Sequence, residues 1–106
     1  YIDDIVDGIL GCLYKVPEIG DKCIPGRIYN LGNNKSEPLL KFISLIEKAV
    51  GKKAEFNFLP MQLGDVQETF ADIEATNQDF PFKPKITIAE GIPKLVEWYK
   101  DFYGYR

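Results

Sequence analysis

Apolar residues recur at helical spacing from the start of the chain. Ile2, Ile5, Val6, Ile9, Leu10 and Leu13 share one face, with Asp3, Asp4 and Asp7 on the others. This predicts a helix from about Asp3 to Lys15. Carboxylates at a helix start cap the first exposed amides and suit the helix dipole, which is the default reading of Asp3 and Asp4. A pair of acids also fits acid/base chemistry or a cation. Val16 to Gly26 carries Pro17, Gly20, Pro25 and Gly26 and reads as a loop. Arg27 to Leu31 is a short β-branched and aromatic run between glycines, and predicts a strand.

Gly32-Asn33-Asn34-Lys35 reads as a turn, with close approach to a ligand as the other reading. Ser36 is placed to cap a second helix, with Pro38 in its first turn. Leu39, Phe42, Ile43, Ile46 and Val50 form its apolar stripe, and Gly51 ends it as a left-handed cap. Ala54 to Leu59 predicts a second strand. Strand, helix and strand together predict a parallel pair joined by a right-handed crossover. Ligands of such units gather beyond the carboxyl ends of the strands, here Gly32-Asn33 and Pro60 to Asp65.

Farther on, Asp72 is placed to cap a short helix from Ile73 to about Asp79, and Phe80 to Pro84 is extended. Thr87 and Glu90 make a capping box for a last helix. Its apolar face is Ile88, Ile92, Leu95, Val96, Tyr99, Phe102 and Tyr103. Pro93 removes an amide donor, so a kink or a later start is expected there. Trp98 reads as packing rather than as a ligand platform. The fold class is therefore a small α/β (α+β) domain, ordered helix, strand, helix, strand, short helix and C-terminal helix.

Composition narrows the function classes. The 106 residues suffice for one small domain, and 45% apolar residues can build a core. A net charge of −3 with mixed signs, and only a few clustered lysines, argues against nucleic acid. Cys12 and Cys23 lack metal spacing and there is no histidine, so no metal site is expected. The two cysteines read as free thiols in a reducing cytoplasm, with a Cys12–Cys23 disulfide as the alternative. No membrane span or signal peptide is visible, and a cytoplasmic location is expected. The helical pattern is already under way at Tyr1 without an initiating methionine, which suggests a piece of a larger protein.

Candidate chemistry concentrates in Phe58 to Asp72. The apolar run ends at Pro60, Gly64 gives the loop freedom to bend, and Gln62, Asp65, Glu68, Thr69 and Asp72 follow closely. Amide, carboxylate and hydroxyl groups so placed suit a polar ligand such as a sugar or nucleotide. On spacing alone the same stretch also reads as a solvated loop. No glycine-rich dinucleotide turn follows a strand, since Gly8 and Gly11 lie within a helical pattern. No Tyr-x-x-x-Lys pair is present, and without histidine no Ser/His/Asp or Cys/His set is possible. No catalytic and no cofactor-binding residue is assigned.

Pro60-Met61-Gln62-Leu63-Gly64-Asp65-Val66 followed by Thr69-Phe70-Ala71-Asp72 resembles the C-terminal substrate loop of NAD-dependent nucleotide-sugar epimerases. These are extended short-chain dehydrogenase/reductases, and the Pro-Met-Gln form is most similar to the UDP-glucuronate 4-epimerase branch. Tyr1 to Ile9, Ile28 to Asn33, Glu90-Gly91-Ile92 and Glu97-Trp98-Tyr99 agree in order and spacing. The resemblance covers residues 1–106 as a C-terminal substrate-binding subdomain, without the N-terminal NAD-binding Rossmann domain. It implies binding roles alone. Asp65 matches an acid that hydrogen-bonds the uridine ribose, and Leu39 an apolar residue that packs against uracil. Gln62 stands where galactose-type relatives carry a phosphate-binding arginine, and Thr69 where they carry a tyrosine beside the nucleotide. Both are departures.

The implied partners are a UDP-sugar and the Rossmann half of the same enzyme, with NAD as cofactor of the intact enzyme and none held by this piece. The implied reaction is epimerisation at the sugar C4 by oxidation and re-reduction, and the piece alone is expected to be inactive. Apolar surface left uncovered predicts self-association. Two alternatives stay open. One is the same subdomain of a nucleotide-sugar dehydratase. The other is a self-standing interaction module docking a protein through Trp98, Tyr99, Phe102, Tyr103 and Tyr105.

Overall fold

The computed structural model describes residues 1–15 and 26–105. The predicted loop from Val16 to Gly26 falls almost wholly outside them, as does Cys23 and with it any Cys12–Cys23 pairing. Four helices are present: α1 (Ile2–Tyr14), α2 (Leu39–Val50), α3 (Glu74–Asp79) and α4 (Ile88–Tyr103). The chain divides into two compact units. One is Tyr1–Lys35 with Phe70–Lys85, and the other Ser36–Thr69 with Ile86–Arg106.

The first unit is built on α1 and a small core of Ile73, Phe80 and Phe82, joined by Cys12, Tyr29, Leu31 and Ala71. Burying each of those three core side chains is worth about 1.5–3 kcal/mol. The helix lies within one residue of its expected span, but its buried face is not the apolar stripe. Asp4 and Gly8 are buried and Gly11 and Cys12 half-buried, whereas Ile2, Val6, Ile9, Leu10 and Leu13 are exposed. The glycines explain this choice, because they let bulky neighbours close on the helix backbone. A Cβ at Gly8 would lie 2.7 Å from Leu31 Cδ2, and one at Gly11 2.7 Å from Phe80 Cδ2. The Asp4 carboxylate accepts the Lys85 N–H at 3.0 Å, so its burial is matched by a backbone donor. No side chain caps the start of α1, so the capping expected of Asp3 or Asp4 is not formed, and Asp4 instead fastens residue 85.

Residues 27–31 were expected to be a strand, and this expectation is corrected. The side chains do alternate, with Tyr29 and Leu31 half-buried and Ile28 93% exposed. Backbone pairing goes elsewhere. The Asn30 carbonyl accepts the Thr76 hydroxyl at 2.9 Å, the Asn33 carbonyl accepts the Ala71 N–H at 2.9 Å, and the Asn30 side-chain Nδ2 donates to the Asp72 carbonyl at 3.0 Å. Thr76, only 1% exposed, is thereby pinned in the unit's interior. Asp72 caps α3 from one position earlier than a formal N-cap, its Oδ1 accepting the Glu74 N–H at 3.0 Å.

In the second unit α2 packs against α4. Gly51 closes α2 in the left-handed region (φ 79°), its N–H donating to the Glu47 carbonyl at 2.8 Å. Glu47 also accepts the Ala54 N–H at 2.8 Å and pairs with Lys53 at 3.0 Å. The Ala54 donor is its leading interaction, and together they hold the carboxyl below its ordinary pKa. The helix begins at Leu39 with Pro38 as N-cap, so Ser36 does not cap it. Glu90 accepts the Thr87 N–H at 3.0 Å and hydroxyl at 2.8 Å, completing the capping box of α4. Pro93 sits inside α4 without delaying its start.

Among the described residues no strand is formed, so the α/β (α+β) class with a parallel strand pair does not hold. A strand needs a neighbour to satisfy its ladder groups. Residues 27–31 and 54–59 belong to different units, and the Ala54 N–H is taken by Glu47. Without strands, Gly32-Asn33 and Pro60 to Asp65 are not the carboxyl ends of a sheet and mark no ligand side.

Candidate functional site

All four candidate residues, Leu39, Gln62, Asp65 and Thr69, belong to the second unit. An extended run leads into them, with Phe56 stacked on Phe58 at 5.6 Å between ring centroids and 9° between planes. After Pro60 the chain makes a four-residue turn. The Asp65 N–H donates to the Gln62 carbonyl at 3.2 Å, and Gly64 stands at φ 97°. Positive φ at the third residue is what a type II turn requires, so the backbone freedom expected of Gly64 is used. The turn brings Gln62 and Asp65 to its two ends. Both side chains are exposed, and Leu63 projects fully into solvent at the tip.

Thr69 and Leu39 are tied to this loop indirectly. The Ser36 hydroxyl donates to the Glu68 carboxylate, joining the residue before Thr69 to a point three residues before Leu39. Leu39, the first residue of α2, is an apolar side chain left 70% exposed. The sequence reading gave Ser36 to helix capping and so missed this link. The residue types are compatible with it, but the spacing of 32 residues carries no local signal.

A second polar cluster lies in the first unit and was not foreseen. The Asp79 carboxylate accepts the Tyr29 hydroxyl at 2.5 Å and pairs with Arg27 at 2.7 Å and Lys15 at 3.8 Å. Lys15 also donates to the Asp79 carbonyl, and the Arg27 guanidinium lies 5.7 Å from the centre of the Tyr29 ring. The Tyr29 hydrogen bond, then the cations, hold the Asp79 carboxyl below its usual range. The same bond, with burial, pushes the Tyr29 hydroxyl up. Every partner of the carboxylate is a donor, so the cluster serves as a clasp. An open cleft of about 590 Å³ in this unit is lined by Asn34, Phe70, Asp72, Glu74, Asn77 and Gln78 among others, and by none of the four candidates. Among the described residues no group of acids and cysteines is arranged to hold a metal, and no helix is long and apolar enough to cross a membrane.

The turn thus presents an exposed amide and an exposed carboxylate at its two ends. No protein-family model matches the chain. The likeness is to UDP-glucuronate 4-epimerases. UDP-glucuronate 4-epimerase 1 of Arabidopsis thaliana is 39% identical, over 100% of this chain and 26% of its own length. Protein CapI of Staphylococcus aureus is 37% identical, over 97% of this chain and 34% of its own. The crystal structure of UDP-glucuronic acid 4-epimerase from Bacillus cereus, in complex with UDP-glucuronic acid and NAD, superposes with a TM-score of 0.74. It is 30% identical, over 97% of this chain and 31% of that one. The chain thus spans between about a quarter and a third of the length of these relatives.

Proposed function

We propose that this chain is the C-terminal, nucleotide-binding part of a UDP-glucuronate 4-epimerase, and that it binds the UDP portion of the sugar nucleotide. The observation that carries the reading is the Gln62–Asp65 turn, set in a chain that is similar to these enzymes along nearly its whole length. Asp65 accepts hydrogen bonds from the ribose hydroxyls. Leu39 packs against the uracil face, Gln62 donates its amide N–H to a diphosphate oxygen, and Thr69 lends a hydroxyl beside the nucleotide.

The epimerisation at C4 belongs to the intact enzyme, where NAD would supply the hydride chemistry. The residues here do not fit a dinucleotide. Gly8 and Gly11 lie within α1 and are filled over by Leu31, Phe82 and Phe80. The chain's contribution is orientation and remote binding energy. Its N-terminal partner in the same enzyme covers the exposed apolar face of α1, and the whole acts in the cytoplasm. By itself the chain is inactive.

Titration of UDP and UDP-glucuronate into the chain, followed by backbone amide shifts, tests this. Shifts gathered at Leu39, Gln62, Asp65 and Thr69, weakened by Asp65→Ala, are expected. Silence at millimolar nucleotide would remove the claim that these residues form a site in the chain alone. Shifts confined elsewhere would overturn the reading. A second reading, an interaction module, draws on α4, where exposed Trp98 stacks on Phe102 at 5.3 Å and Tyr99 meets Tyr103 at 4.6 Å.

A further inference from the structure

We infer that Ser36 and Glu68 are positioning residues that hold the polar loop in register with the start of α2, a role resting on the nucleotide-binding reading above. The N-cap of α2 is Pro38, whose side chain has no polar group to cap with, and Ser36 lies two residues before it. The Ser36 hydroxyl instead donates to Glu68 Oε1. Glu68 lies between Asp65 and Thr69, and Ser36 lies just ahead of Leu39. The bond therefore joins the two segments that carry every candidate contact. Neighbouring polar groups are engaged differently: Glu37 pairs with Lys41 at 2.7 Å along the start of α2. The Phe42 N–H donates to the Pro38 carbonyl at 3.1 Å, so the helix start is itself fixed. Within the loop the Asp65 N–H donates to the Gln62 carbonyl, and all of residues 60–69 are exposed. Such a segment gains most from one link to a fixed element, because binding then orders less of it.

The role predicts a specific pattern. Ser36→Ala and Glu68→Ala each weaken UDP binding about two- to tenfold, the range for one lost hydrogen bond. The double variant is no weaker than either single one, since both remove the same bond. Glu68→Gln keeps an oxygen acceptor for the hydroxyl and restores most of the affinity, which a role through charge would not allow. In nucleotide-free chain, hydrogen exchange of the Leu63 to Thr69 amides is faster in Ser36→Ala, with α2 and α4 unchanged.

Binding that is weakened by Asp65→Ala but untouched by Ser36→Ala and Glu68→Ala would overturn the positioning role and leave the nucleotide site standing. Additive losses in the double variant, or unchanged exchange across the loop, would also overturn it. No UDP binding by the unsubstituted chain, with exchange altered as described, would remove the nucleotide site from the chain alone and show the link to be structural only.

Discussion

At the residue scale, Asp79 shows how one side chain can organise a surface. It gathers Tyr29, Arg27 and Lys15, which stand far from it in sequence, and its carboxyl is held below the ordinary range mainly by the Tyr29 hydroxyl. A depressed carboxyl contributes stability that is present above the unfolded pKa and is lost as pH falls through the folded one. Tyr29 works the other way. Its raised hydroxyl contributes stability at neutral pH that is lost as pH rises through its folded pKa. Urea unfolding of the chain is therefore expected to weaken at both acid and alkaline extremes, with Asp79→Asn flattening the acid limb and Tyr29→Phe the alkaline one. A parallel shift of the whole curve in Asp79→Asn would assign the clasp no part in the pH dependence. The carboxyl is partly open to water, so the effect is one of direction rather than a large increment.

At the element scale, α1 shows why a correctly placed helix can still be turned the wrong way. Periodicity identified the helix, and the apolar stripe was taken as its buried face. The structure buries the stripe's neighbour, where Gly8 and Gly11 admit Leu31, Phe82 and Phe80. Alanine at either glycine would favour the helix by about 1 kcal/mol. Overpacking costs about 1–3 kcal/mol, and at Gly11 the obstacle is the flank of a rigid ring. Gly11→Ala is expected to lower stability by about 1 kcal/mol in thermal unfolding. Gly8→Ala is expected to lose a similar amount, because the new methyl meets both Leu31 methyls and, at 3.0 Å, the ring of buried Phe82. A stabilised Gly11→Ala would mean that Phe80 swings aside without loss.

At the scale of the whole molecule, the chain leaves many large apolar side chains open to solvent, along α1, on α4 and through residues 56–66. Patches of this kind promote association. Light scattering at rising concentration is expected to show oligomers. Ile9→Glu with Leu13→Glu should reduce them without loss of stability, both residues being exposed on α1. A clean monomer at high concentration would count against an uncovered interface.

The chain's local chemistry was legible in its sequence. Helix positions follow from spacing over three or four residues, and the Gly51 cap, the Thr87–Glu90 box and the Gly64 bend each rest on residues within one turn of one another. The candidates Leu39, Gln62, Asp65 and Thr69 were named from pattern and resemblance. Their gathering in one unit, through the Gln62–Asp65 turn and the Ser36–Glu68 bond, is visible only in three dimensions. Tertiary structure decided the rest: which face of α1 is buried, what Asp79 holds, and that residues 27–31 and 54–59 are extended without a ladder. Burial and strand pairing depend on partners distant in sequence. A β-branched run states a preference for a pleated neighbour, but it cannot supply one.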